Sequence, residues 1–162
     1  MMAGHIQVAR QDGVQIIRLI GDVRLNLCMA FDSYIRDVLG KAEFDNVLID
    51  LSEAEGIDST TLGQLAKISI LCKDRFRIVP TVYSPSASIT RILMSMGFDA
   101  VFHILEEPFS NETEFQDWVV DSMDEERARL EVIAAHKVLM SLNDANKSKF
   151  SELVETLECG RF

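Results

Sequence analysis

The 162-residue sequence predicts an α/β fold: a strand pair that feeds alternating helices and strands, then a pair of helices. Three observations carry this. Gln11-Asp12-Gly13 is a turn signal between two strand-like runs, which makes a hairpin. Downstream, the apolar runs Val47–Leu51, Phe76–Tyr83 and Val101–Ile104 alternate with stretches whose apolar residues recur at helical spacing. From Ala128 onward only the helical spacing remains.

In order along the chain, Ile6 and Val8 alternate with polar neighbours as a short first strand. Val14–Ile20 is the second, closed by Gly21-Asp22-Val23-Arg24. Asn26 is placed to cap a helix carrying Leu27, Phe31, Tyr34, Ile35, Val38 and Leu39, with Gly40 near its end. Val47–Leu51 has polar residues only at its margins and reads as a central strand covered on both faces. A polar turn through Gly56 then leads to Asp58-Ser59-Thr60-Thr61, an N-cap cluster directly before Leu62, Leu65, Ala66, Ser69 and Ile70, a helix expected to reach about Cys72. Phe76–Tyr83 is a strand, at an edge or bulged because of Pro80. Ser84-Pro85 reads as a cap and first helical residue; Ile89, Ile92, Leu93 and Met96 follow, and Gly97 stops the helix. Val101–Ile104 is the last strand. The order β-β-α-β-α-β-α-β implies right-handed crossovers, a mixed sheet and helices mainly on one face.

Residues 1–105 carry 12 acidic and 10 basic side chains, whereas residues 106–162 carry 14 and 6. The composition shifts at Glu106-Glu107-Pro108, which divides the chain into parts 5–105 and 109–159. In the second part Asn111 or Thr113 is expected to cap a helical segment containing Phe115, Trp118 and Val119. Ala128, Val132, Ala135, Leu139 and Leu142 form one apolar stripe; Phe150, Leu153, Val154 and Leu157 form another after Asn143-Asp144. This is an α-helical hairpin. Its stripes either bury within the chain or make a second interface, for self-association or a partner, marked by Leu139 and Leu153. His136 reads as a partly exposed helix residue rather than a phospho-relay histidine.

Composition narrows the function. The net charge of −10 argues against nucleic acid and against anionic membrane surfaces. Cys28, Cys72 and Cys159 are widely spaced, and with three histidines they offer no zinc spacing; a reducing cytoplasm fits. No run approaches ~18 apolar residues, so no membrane insertion is expected. There is no phosphate-cradling glycine loop, no nucleophile elbow and no metal motif, so neither an enzyme nor a cofactor is expected. What remains is the Asp58–Thr61 cluster. Its plain reading is helix capping. Its functional reading is a phosphorylation site, with Ser59 the expected acceptor and Thr60 and Thr61 the alternatives.

The strand Val47–Leu51, the Asp58-Ser59-Thr60 and Leu62-Gly63 that follow, the element order over 5–105 and the ending Gly97-Phe98…Val101-Phe102…Ile104 resemble the STAS domains, of the bacterial anti-sigma factor antagonist type. The sequence departs from that pattern at Thr61, where members often carry glycine, and at Arg24 in the loop after strand two. The resemblance implies a cytoplasmic phosphoprotein of transcription regulation. Unphosphorylated, it would bind an anti-sigma factor with serine kinase activity, and a serine phosphatase would reverse the modification. Asp58, Thr60, Leu62, Asp22 and Arg24 would support the switch and contact the partner. The same fold also serves as an accessory subunit of membrane transporters, and a non-phosphorylated scaffold or dimerisation protein is a further alternative.

Overall fold

In a computed structural model, residues 2–107, 113–120 and 124–160 are described. Strands β1 (His5–Gln11) and β2 (Val14–Val23) form the expected antiparallel hairpin, pairing His5 with Ile20 through to Gln11 with Val14. Its turn places Asp12 and Gly13 at positive φ. Parallel pairing then runs from β2 to β3 (Asn46–Asp50), on to β5 (Thr81–Tyr83) and to β6 (His103–Leu105). With β4 (Ala54–Ile57) and β7 (Gln116–Asp117), the described strands form a seven-stranded mixed sheet, six of them in the order β6-β5-β3-β2-β1-β7 and β4 paired with β2 off that path.

Two strands are additional to the sequence expectation. Strand β4 (Ala54–Ile57) lies in the stretch read as a polar turn; it pairs in parallel with the distal end of β2. The ten-residue β2 is long enough to serve two neighbours, β3 with its first half and β4 with its second. The register shifts between Gly21 and Asp22, and Gly21 has φ 75°. A Cβ there would stand 2.6 Å from the Met2 carbonyl oxygen, so only glycine fits the bulge.

Strand β7 (Gln116–Asp117) is antiparallel to β1. The segment read as a helix around Phe115 and Trp118 is therefore extended. The open edge of β1 offers backbone partners that a short, isolated helical turn lacks, and the Trp118 N–H donates to the Ile6 carbonyl at 2.9 Å. Trp118 packs edge-on to Tyr34, ring centroids 5.6 Å apart. Thr113 bonds the Gln11 side chain instead of capping a helix, and Asn111 lies outside the described residues.

The central strand is also less symmetric than expected. Val47, Ile49 and Leu51 are fully buried, in one core with Ile17 and Leu19 of β2 and with Phe31, Leu65, Ile68 and Leu93 from the helices. By strand alternation Arg18 and Asp50 lie on the opposite face. There Asp50, 1% exposed, accepts from Arg18 Nε at 2.9 Å and from the Ser52 N–H at 2.9 Å. The Arg18 guanidinium lies 3.8 Å from the centre of the Phe115 ring. The second face is thus closed locally by an ion pair under an aromatic ring.

A 3₁₀ turn (Leu25–Leu27) opens α1 (Cys28–Tyr34), which ends in a π-helical turn, Ile35–Leu39. Asn26 falls inside that 3₁₀ turn, and no side chain caps its start. Helix α2 (Ser59–Phe76) continues past Cys72 and ends on Arg77 in the left-handed region. That shortens the following strand to Thr81–Tyr83. Helix α3 (Ala87–Ser95) begins two residues later than Ser84-Pro85 suggests, because the Ser84 hydroxyl bonds Thr90.

Asp124 caps α4 (Glu125–Leu142) and Asn143 caps α5 (Asp144–Glu158). This hairpin lies on the helices. Near its start Ala128 clusters with Cys28 and Met29 of α1; midway Ala135 meets α2; at its end Asn143 and Asn146 donate to the Met96 carbonyl after α3, at 3.3 and 2.9 Å. Leu139 and Phe150 belong to the main core.

Candidate switch site

The site forms where β2, β4 and α2 converge. Asp58 leaves β4 in extended conformation, and its N–H donates to the Val23 carbonyl at 3.2 Å, tying the helix start to the end of β2. Its Oδ1 accepts the Thr61 N–H at 2.9 Å, the capping bond the sequence predicts. Ser59 is therefore the first residue of α2, in the turn whose N–H groups have no partner within the helix.

The three consecutive hydroxyls are not equivalent. Thr60 and Thr61 are buried, 5% and 2% exposed, whereas Ser59 is half-buried. Leu62, expected to touch a partner, is 2% exposed and sits in the core. It anchors the helix and offers no surface.

The loop after β2 adjoins this point, since Val23 pairs with Ile57. Asp22 accepts from Arg24 Nε at 2.6 Å, and the Arg24 side chain is 65% exposed. The two charges expected to shape the partner surface thus neutralise each other locally. Asp22 Oδ1 faces Gly56, where a Cβ would come within 2.8 Å of it.

What the sequence reading missed lies above Ser59. His136 is 1% exposed, not partly exposed as the pattern suggested. Its Nε2 is 2.7 Å from Ser59 Oγ, and its Nδ1 is 2.7 Å from the Val132 carbonyl oxygen. A carbonyl only accepts, so this network assigns the proton to Nδ1. Nε2 is then the acceptor, and the Ser59 hydroxyl donates to it. Phe150 stands edge-on to the imidazole at 5.0 Å. One signal was available: His136 falls four residues after Val132 and three before Leu139, on the apolar stripe itself.

The hairpin reaches Ser59 because α4 approaches α2 unusually closely. A Cβ on Gly63 would lie 2.2 Å from the Ala135 carbonyl oxygen. Lys67 and Glu131 pair beside this contact at 3.4 Å, and Gln64 Nε2 holds the start of α1 through the Cys28 carbonyl at 2.8 Å. Of the two leucines expected to mark a second interface, Leu139 is fully buried and Leu153 is 40% exposed. Leu153 lines an apolar groove with Leu25, Ala128, Val132 and Leu157.

Burial pushes the Cys28 thiol up to about 11, with Glu131 and Asp58 adding to the effect, and burial alone does the same to Cys72. Among the described residues no group of three or more histidine, cysteine or acidic side chains is placed to hold a metal ion. No described helix is long and apolar enough to cross a membrane.

The family model of the STAS domain matches residues 5–115, from the start of β1 to just before β7. The chain belongs to the STAS domain family. STAS domains are in general protein-interaction and regulatory modules, and the β2–β4–α2 junction lies wholly inside the matched region. Helices α4 and α5, with His136, lie beyond it. No curated protein matches the chain.

Proposed function

We propose that this STAS domain is a phosphorylation-switched interaction module of the anti-sigma factor antagonist type, with Ser59 as the acceptor. The observation that carries the reading is the geometry of the helix start. Of the hydroxyls at 59, 60 and 61 only Ser59 is partly exposed, and it stands on the first turn of an 18-residue helix capped by Asp58. A phosphate adds about −1.5 to −2 charges. At a helix N-terminus the free N–H groups and the helix dipole favour that charge, so the sheet and the start of α2 tolerate the modification. Its effect falls on the surface shared by Asp58, Ser59, Asp22 and Arg24, where a partner's acidic group would be repelled. A coupling of ~3 kcal/mol there weakens binding more than a hundredfold.

In this reading the chain catalyses nothing. An anti-sigma factor with serine kinase activity modifies Ser59, a serine phosphatase reverses the change, and the unphosphorylated form holds the anti-sigma factor. Pull-downs from the source cell with Ser59→Ala and Ser59→Asp baits test it. The alanine bait is expected to retain a protein with a serine kinase fold and the aspartate bait to lose it. Equal capture of a transporter component by both baits would overturn the reading in favour of an accessory subunit.

A further inference from the structure

The hydroxyl proposed to take the phosphate is already engaged. Its proton points at His136 Nε2 across 2.7 Å, a gap that holds a hydrogen and nothing larger. The ring has no room to yield. Nδ1 is bonded to the carbonyl of its own helix, Phe150 closes one side, and the residue is 1% exposed. Nor can α4 slide closer to α2, since the Ala135 carbonyl already occupies the space a side chain at Gly63 would need. A phosphoryl group on Ser59 Oγ replaces that proton and cannot occupy the gap to Nε2 while α4 stays docked as it is.

Charge acts in the same direction. Asp58 is adjacent, and Glu131 of α4 faces Lys67 on α2. A phosphate on Ser59 adds negative charge next to Asp58 and on the side of α2 where Glu131 already pairs with Lys67. The start of α2 favours the phosphate through its free N–H groups and dipole, whereas His136 Nε2, with the ring proton on Nδ1, presents a lone pair and repels it.

We infer that the α4–α5 hairpin is a built-in occupant of the switch face, and that phosphate on Ser59 and the docked hairpin exclude each other. The inference rests on the reading of Ser59 as the phosphoacceptor. In the unmodified chain the hairpin holds the hydroxyl of the half-buried serine through His136, and a partner that engages Ser59 must compete with α4 for it. In the phosphorylated chain the hairpin leaves α2, taking Leu139 and Phe150 out of the main core and exposing their apolar faces.

The experiment uses the full-length chain with phosphoserine installed at position 59 by codon suppression, read by amide hydrogen exchange. Exchange across 131–139 in α4 is expected to quicken at least tenfold, while β2 and β3 keep their protection. Ser59→Asp, read in the same way, is expected to give a smaller acceleration in the same segment. Gly63→Ala presses α4 outward without altering Ser59 and is expected to quicken exchange in the same segment, marking the pattern of a loosened hairpin. Unchanged or increased protection of α4 with phosphoserine would show that His136 accommodates the phosphate, and would overturn the inference. Loss of protection in β2 and β3 as well would overturn it too, since the hairpin would then not be separable from the fold. Because the phosphate is installed, a finding that the cell never modifies Ser59 would count against the proposed function and leave this result standing.

Discussion

Replacing Gly63 with alanine should change stability with opposite signs in two versions of the chain. The new Cβ would lie 2.2 Å from the Ala135 carbonyl oxygen, 2.5 Å from its carbon and 2.7 Å from the Ala135 Cβ. The first two are helix backbone and have no rotamer to give. Ordinary contact begins near 3.4 Å, so α4 must retreat by about 1.2 Å along its tightest line of contact. Overpacking of this kind costs ~1–3 kcal/mol. Against it, alanine in place of glycine within a helix gains ~1 kcal/mol. The full-length variant is thus expected to lose about 0–2 kcal/mol. In a chain ending at Val120, which keeps β7 and Trp118 but has no α4 to strike, only the gain remains, and the variant should be about 1 kcal/mol more stable than its parent. Urea unfolding followed by the fluorescence of Trp118, the one tryptophan, reads both chains through the same site against Tyr34. Stabilisation of similar size in both chains would show that α4 does not press on Gly63, and would refute the reasoning.

Three other outcomes follow from the same geometry. Asp58→Ala should cost about 1 kcal/mol in urea unfolding by removing the bond to the Thr61 N–H, whereas Asp58→Asn, an equally good cap, should cost a few tenths at most. Of the three thiols only Cys159 is exposed, so a thiol reagent at pH 8 should modify one cysteine rapidly and Cys28 and Cys72 only as the protein opens. Burial raises both buried thiols from 9.0 to about 11, so the folded state holds their protons more tightly than the unfolded state. The stability they contribute is complete below pH 9 and lost as pH rises through 11, visible as a falling urea midpoint over that window.

The parts of the fold that were legible in the sequence are those whose signals are local. The Asp12-Gly13 turn, the apolar run of β3, the Asp58 cap and the paired stripes of α4 and α5 each announce themselves within a few residues. The misread parts depend on partners distant in sequence. Strand β4 has Glu55 and Gly56 at its centre and no strand pattern; it forms because the overlong β2 leaves backbone groups to be paired. Phe115 and Trp118 are spaced as well for a helix as for an extended segment, and the open edge of β1 decides between them. At the switch, Asp58 and Ser59 were legible because capping chemistry is local. The burial of Leu62 and the difference in exposure among the three hydroxyls come from the tertiary fold. His136 was misjudged for a related reason. A histidine on an apolar stripe has no meaning until the donor across the interface, here a serine 77 residues earlier, is known.

The central claim is that this STAS domain binds a partner through the Ser59 face and releases it when Ser59 is phosphorylated. The most direct measurement is the affinity of the captured partner, by titration calorimetry, for the full-length chain with serine and with phosphoserine at position 59. The account predicts tight binding to the serine form and at least a hundredfold loss with phosphoserine, at unchanged far-ultraviolet circular dichroism. Equal affinity for the two forms would contradict it.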